Sequence, residues 1–221
     1  MFRVDLHIHS KYSRDGISTP RQIIAYALKR GLGGVAVTDH DTLKGGIETM
    51  KIAPKDFIVV PGVELSLPYG HILALNVKEM PKKTMIEELV DEIHGLGGIA
   101  VLAHPFGEVH GCKALDEVAR CVDAIEVANA KTLFYERHIE KASALSEQYG
   151  KGVTAGSDSH IPETIGDTQL ITPSNPEGRD ELITLLLKGG CSIAGYRTSL
   201  SNRLLELYRR AMKRVKGSVK P

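Results

Sequence analysis

The sequence predicts an α/β domain whose strands lie largely parallel and close into a barrel. Short apolar runs bounded by turn residues alternate with amphipathic helical stretches from one end of the chain to the other. About seven such units fit in one domain of 221 residues, which closes a barrel better than it fills an open sheet. Histidines and carboxylates gather where the apolar runs end, the place where barrels of this kind build their sites.

Each element has its own signal. "FRVDLHI" reads as the first strand. In "STPRQIIAYALKRG", Thr19 is an N-cap, Pro20 takes the first helical position, Gln22 closes a capping box and Gly31 stops the helix. "GGVAVTDH" is the next buried strand, followed by a short helix from about Thr42. "FIVVPGVEL" and "HILALNV" are two strands joined by the turn "SLPYG". In "TMIEELVDEIHGLGG", Thr84 and Glu87 form a second capping box, and Ile86, Leu89, Val90 and Ile93 form an apolar stripe. "IAVLAHP", "AIEVAN" and "VTAGSDSH" are further strands, with a helix over about 132–149 between the last two. "TQLIT" is a final strand, and helices at about 176–188 and 199–215 end the chain. Leu204, Tyr208, Ala211 and Val215 line one face of the last helix. The barrel is placed over residues 1–175, with 176–221 a helical segment and basic tail packed on it, in one domain.

An apolar content of 42% and a charged content of 25% describe a globular chain, with a core mostly aliphatic because Trp is absent and aromatics are few. No apolar run approaches the roughly 18 residues of a membrane span, so no membrane partner is expected. The chain enters a strand at once, without a signal-peptide pattern. Cys112, Cys121 and Cys191 lack the spacing of a metal site or redox pair and are expected to be packing thiols, which predicts a cytoplasmic setting. The net charge of +1 hides an asymmetry: from Arg197 onward stand eight Lys or Arg and one acid, Glu206. Such a run is either a solvated helix face or a surface for nucleic acid.

His7 and His9, two apart in a strand, project to one face. Of nine histidines, His7, His9, His40, His104 and His160 follow apolar strands directly. His71 opens its strand, and the "SLPYG" turn brings it back beside Glu64. Barrel topology would collect these six with Asp15, Glu64 and Asp158 in one cleft. So many titratable groups at strand ends would be costly to desolvate without partners, which points to metal binding. Imidazole plus carboxylate without thiolate suits Zn, Mn or Fe. Nine ligands exceed the need of one ion and suit three, with Glu64 bridging, or two. His94, His110 and His138 are read as ordinary surface residues.

In order, "DLHIHSKYSRDG", "AVTDHDT", "GVELS", "HILAL", "LAHP" and "GSDSH" resemble the motifs of the polymerase and histidinol phosphatase (PHP) family of phosphoesterases, over about residues 3–172. The resemblance implies a distorted seven-stranded βα barrel of TIM-like form with a trinuclear site. It implies that His7, His9, Glu64 and Asp158 hold a first ion and carry the catalytic centre. Glu64 would bridge to a second ion held by His71 and His104, while Asp15, His40 and His160 hold a third. The implied activity is metal-dependent hydrolysis of a phosphate ester in a small phosphorylated metabolite, nucleotide or short oligonucleotide.

Lys11, Lys131 and Arg197 are candidate contacts for the phosphate. Asp39 is expected either to orient a ligand from behind or to cap the following helix. Glu126 and Asn129, in an "E-x-x-N" pattern, are expected to serve structure rather than ligation. Three alternatives stand beside the phosphoesterase. One is a 5′–3′ exonuclease whose basic C-terminal helix guides a nucleic acid. Another is an amidohydrolase, which also opens its barrel with His-x-His but lacks "TDH" and "SDSH". The third is a non-catalytic regulatory module with metals as a clip. A barrel of this type is compatible with a monomer or with a dimer through its outer helices.

Overall fold

The structure, a computed structural model, describes the backbone of residues 1–218 and the side chains of residues 1–213. The strands are β1 (Arg3–Ile8), β2 (Gly34–His40), β3 (Ile58–Leu67), β4 (Gly70–Leu75), β5 (Ile99–Leu102), β6 (Ala124–Asn129), β7 (Gly152–Gly156), β8 (Thr168–Ile171) and β9 (Ser192–Gly195). Among the described residues they form one sheet in the order β7-β6-β5-β4-β3-β2-β1-β8-β9. The chain just past β7 returns to the end of β1, where the His9 amide donates to the Ser159 carbonyl at 2.8 Å. The first seven strands therefore make a distorted, nearly closed barrel, as expected.

The pairings β1–β2, β2–β3, β5–β6 and β6–β7 are parallel. β4 runs against both β3 and β5, because the turn after Leu67 is too short for a parallel crossover. β8 lies antiparallel on β1, and β9 on β8, extending the sheet beyond the barrel. β9 falls inside the segment expected to be helical. It has four residues, none fully buried, so it carried no legible pattern.

The helices are α1 (Pro20–Lys29), α2 (Lys44–Lys51), α3 (Ile86–Gly95), α4 (Leu115–Cys121), α5 (Tyr135–Tyr149), α6 (Arg179–Lys188) and α7 (Leu200–Ser218). The capping box of α1 forms: Thr19 Oγ1 accepts from the Gln22 amide, and Gln22 Oε1 accepts from the Thr19 amide. The second predicted box does not form. α3 starts at Ile86 behind Met85, with no side-chain cap, and the Thr84 carbonyl instead accepts the Tyr69 hydroxyl. The apolar stripe of α3 is buried as the periodicity predicts, against β4, β5 and α4. α4, with only Val118 and Ala119 buried, is too short for such a stripe to be visible in the sequence.

The core is aliphatic. Leu73, Leu75 and Val101 pack with Val4 and Leu182, while Ile23, Ile24 and Ala27 of α1 cover Val35, Val37 and Val59. Each fully buried Leu or Ile contributes roughly 1.5–3 kcal/mol. Asp5, wholly buried, stitches the barrel seam: its carboxylate accepts from the Ser157 amide and hydroxyl, the Gly166 amide and the His7 amide. Burial raises its pKa to about 6, and those four hydrogen bonds hold it from rising further.

α7 is packed inside out. Leu204 and Tyr208, in the predicted apolar stripe, are 59% and 64% exposed. The polar face turns inward: Arg203 donates to the carbonyls of Ala130, Lys131 and Thr132, Arg209 pairs with Glu163, and Lys213 donates to the carbonyls of Lys11, Ser13 and Gly16. Those three cations are thus bound to the protein itself rather than presented on a solvated face. Arg214, Val215, Lys216 and Lys220 lie outside the residues whose side chains are described. No described helix is long and apolar enough to cross a membrane.

Candidate metal centre

All nine predicted ligands converge at one end of the barrel. His7 and His9 leave the end of β1 toward its interior, and their Nε2 atoms face each other at 3.2 Å. Both lie close to one Glu64 oxygen, at 3.2 and 3.1 Å, and His9 Nε2 is 3.3 Å from Asp158 Oδ1. The other Glu64 oxygen is 2.6 Å from His71 Nδ1 and 3.1 Å from His104 Nε2. Glu64 thereby stands between two groups of ligands, one oxygen to each. His71 reaches it because the β3–β4 hairpin turns back, as the sequence predicts. Asp15 Oδ2 faces His160 Nε2 at 3.2 Å and His40 Nε2 at 3.6 Å.

The donor atoms fall into three clusters able to hold an ion: His7, His9 and Asp158; Glu64, His71 and His104; and His9, Asp15, His40 and His160. His9 belongs to two of them.

The electrostatics match the geometry. Burial would depress the His9 pKa, but hydrogen bonds and charge from Asp158 and Glu64 outweigh it and raise the pKa to about 9. His7 rises well above its ordinary value in the same way, with Glu126 as its main partner against burial. Burial opposes ionisation of Glu64 and Asp158 too, yet the facing imidazoles hold both well below the usual carboxylate range. His40 is pushed down to about 3, chiefly by burial.

This donor set fits divalent cations. Two imidazole nitrogens point at one carboxylate oxygen and at each other, an arrangement in which protons must crowd and metal ions need not.

The strand ends are held in place from behind. Glu126, on the bulged part of β6, accepts through Oε1 from His7 Nδ1–H at 2.9 Å, which turns His7 Nε2 toward the centre. Its second oxygen accepts the His104 amide and Asn129 Nδ2, and Asn129 Nδ2 also reaches Asp158. The structural role expected for this pair is thus the orientation of three predicted ligands, His7, His104 and Asp158. His104 and Asp158 have φ of 27° and 51°, sparsely populated for residues with a β-carbon. A β-carbon on Gly156 would collide with that of His7, so glycine there lets β7 approach β1. Asp39 accepts from the Ser10 amide and hydroxyl and touches the first turn of α2 near Gly45. It therefore acts on the backbone beside His9 rather than on a ligand ring.

Lys131 lies at the centre, with Nζ 3.0 Å from His160 Nδ1 and 2.5 Å from Glu206 Oε1. Lys11 is exposed, its ammonium over the Tyr12 ring, and Arg197 donates to the Leu133 carbonyl. Of the histidines read as surface residues, His138 is placed otherwise, while His110 is exposed as expected but approaches the centre. His138 is buried beneath β6, with Nε2 3.4 Å from the Glu126 carbonyl. His110 stacks on His71, ring centroids 4.9 Å apart, on a loop that Glu108 fastens to the start of α5 through the Leu133 and Phe134 amides. The loop position gave no periodicity from which this could be foreseen. His110 lines a cavity of about 210 Å³ that opens onto His104, Asn129, Lys131 and Asp158.

Comparison with known proteins agrees with this geometry. An uncharacterized protein of Methanocaldococcus jannaschii, MJ1587, is 38% identical over 142 residues, covering 58% of this chain and 82% of its own. A phosphoribosyl 1,2-cyclic phosphate 1,2-diphosphodiesterase of Eggerthella lenta is 30% identical over 161 residues, covering 66% of this chain. The matched part spans 55% of that relative. Among solved structures, a two-domain protein from Bacteroides vulgatus containing a predicted PHP-like metal-dependent phosphoesterase superposes with a TM-score of 0.73. The match is at 17% identity and covers 95% of this chain and 69% of that one. The family model for the PHP domain matches residues 5–190. With the ordered motifs, the nearly closed barrel and this match over most of its length, the chain belongs to the PHP domain family.

Proposed function

We propose that this protein hydrolyses a phosphate ester at a centre of three divalent ions. The observation that carries the reading is the convergence of nine imidazole and carboxylate ligands into three clusters joined by Glu64 and His9. His7, His9, Glu64 and Asp158 form the catalytic core, with His71 and His104 on one side and Asp15, His40 and His160 on the other. Zn, Mn and Fe all suit the donor set. Bound divalent ions supply Lewis acidity, which lowers the pKa of water and offsets charge on phosphoryl oxygens.

The protein's own groups do the rest. Glu126 fixes the His7 ring, and Asn129 fixes Asp158. Lys131, beside His160 at the edge of the cavity, offers a cation to the phosphate. The cavity of about 210 Å³ suits a small phosphorylated metabolite, a nucleotide or one end of an oligonucleotide. A nucleic acid guided along α7 finds less support, since Arg203, Arg209 and Lys213 already hold carbonyls or Glu163.

The test is the product pattern from a short 5′-phosphorylated oligoribonucleotide incubated with manganese-loaded protein. Release of inorganic phosphate with the chain left whole identifies a monoesterase. Stepwise mononucleotides identify a phosphodiesterase acting from an end. Neither product, on this substrate or on a panel of small phosphate esters, refutes the reading.

A further inference from the structure

Beyond the ligand shell, α7 contributes a group whose partners differ from those of its neighbours. Arg210 Nη2 is 3.2 Å from Asp15 Oδ2, the same oxygen that faces His160 and His40. Arg210 Nη1 is 3.1 Å from Glu206 Oε1, and Lys131 Nζ is 2.5 Å from that same oxygen. Two cations that share one acceptor atom lie within about 6 Å of each other, a spacing that one phosphoryl group can bridge. Glu206 is 4% exposed, and its other oxygen has no hydrogen-bond partner among the described residues. One buried carboxylate thus holds a lysine and an arginine together at the edge of the centre. A guanidinium has five N–H donors, and the contacts above engage only part of them.

We propose that Arg210 and Lys131 form a two-pronged clamp for the terminal phosphate of the substrate, assembled by Glu206. The inference rests on the phosphoesterase reading and adds to it a contribution from α7. The inverted packing of α7 then has a purpose: Arg203, Arg209 and Lys213 anchor the helix to the rim, and Glu206 and Arg210 reach inward. Arg210 is a binding residue and Glu206 a positioning residue. The clamp selects an ester with a terminal, doubly charged phosphate over an internal diester, which carries one charge and a second substituent.

The experiment measures binding of inorganic phosphate by calorimetry, with bound manganese counted in every sample. The proteins are the unmodified chain, Arg210→Gln, Glu206→Gln and, as a control, Arg209→Gln, whose native partner is Glu163. Loss of charge-assisted hydrogen bonds predicts phosphate binding weakened about 10- to 100-fold in Arg210→Gln at unchanged metal content. Arg209→Gln, which removes one anchor of α7 but no clamp donor, should weaken binding less than about threefold. Arg210→Lys, which keeps the charge but not the fork, should recover part of the loss. For Glu206→Gln, KM for a phosphate monoester should rise while kcat and metal content hold. Arg210→Gln binding phosphate normally overturns the clamp. So does weakening that merely follows lost manganese, or an equal loss in Arg209→Gln. If the unmodified protein turns over no ester yet binds phosphate in an Arg210-dependent way, the clamp stands and the hydrolase reading falls.

Discussion

Loading this centre with metal should expel protons, and the size of the effect follows from two histidines. A metal needs a neutral imidazole. Burial opposes charge on His9, but Asp158 and Glu64 raise its pKa to about 9, and His7 is raised as well. At pH 7 in the metal-free protein the facing pair holds at least one extra proton, at His9, so filling the clusters around them should release at least one. Apparent affinity should then climb about tenfold per pH unit for each proton displaced, up to about pH 9 for His9. The same shift predicts stability. A histidine raised in the fold stabilises it fully below pH 6.5, and that contribution is lost as pH rises through about 9. The gap corresponds to about 3 kcal/mol, counted once, because Glu64 and Asp158 report the same attraction from the other side. Metal-free protein should therefore melt lower at pH 9.5 than at pH 6.5, while metal-loaded protein gains affinity over that range. Calorimetric titration in two buffers of different ionisation enthalpy counts the protons. A heat independent of buffer at pH 7 would refute the reasoning.

Three further outcomes are expected. Glu126→Ala removes the partner of His7 Nδ1 and of the His104 amide, and should weaken metal binding about 10- to 100-fold while the circular dichroism spectrum holds. Asp5→Ala leaves three buried amides without their acceptor, and should cost about 3 kcal/mol or more in urea unfolding; a change under about 1 kcal/mol would show that the seam relaxes. Thr19→Ala should cost about 1 kcal/mol through its lost cap, whereas Thr84→Ala should stay within about 0.5 kcal/mol, because Thr84 caps nothing.

The barrel and the convergence of the nine residues proposed as ligands were legible because both are written locally. A strand end followed by a histidine or carboxylate needs only the topology to become a site, and strand–helix alternation supplies the topology. The β3–β4 hairpin was legible from its turn, and with it the approach of His71 to Glu64. What could not be read depends on distant partners. Thr84 and Glu87 have the spacing of a capping box, yet the chain enters α3 with Met85 as the cap. His138 looks like one polar residue on an amphipathic helix, and only the packing of α5 on β6 buries it under Glu126. His110 sits on a loop whose course is fixed by Glu108 reaching the start of α5.

α7 shows most plainly why periodicity alone is insufficient. Its pattern yields two faces but not which of them turns inward, and the default places apolar residues against the barrel. Here the surface it must cover is the site's rim, where carbonyls at Ala130, Lys131, Thr132, Ser13 and Gly16 and the carboxylates of Asp15 and Glu163 face outward. Such a rim selects a face of arginine and lysine, because unpaired acceptors under an apolar face would each lose hydration without replacement. The orientation of the last helix is thus set by the chemistry that the barrel places at its mouth. Arg203, Arg209, Arg210 and Lys213 then read as a complement to that mouth rather than as a tail for a distant partner. On this argument, charge reversal at Glu163, which lies outside the ligand clusters, should loosen α7 through Arg209 and raise KM for a phosphate monoester. An α7 held only by its apolar residues would not respond.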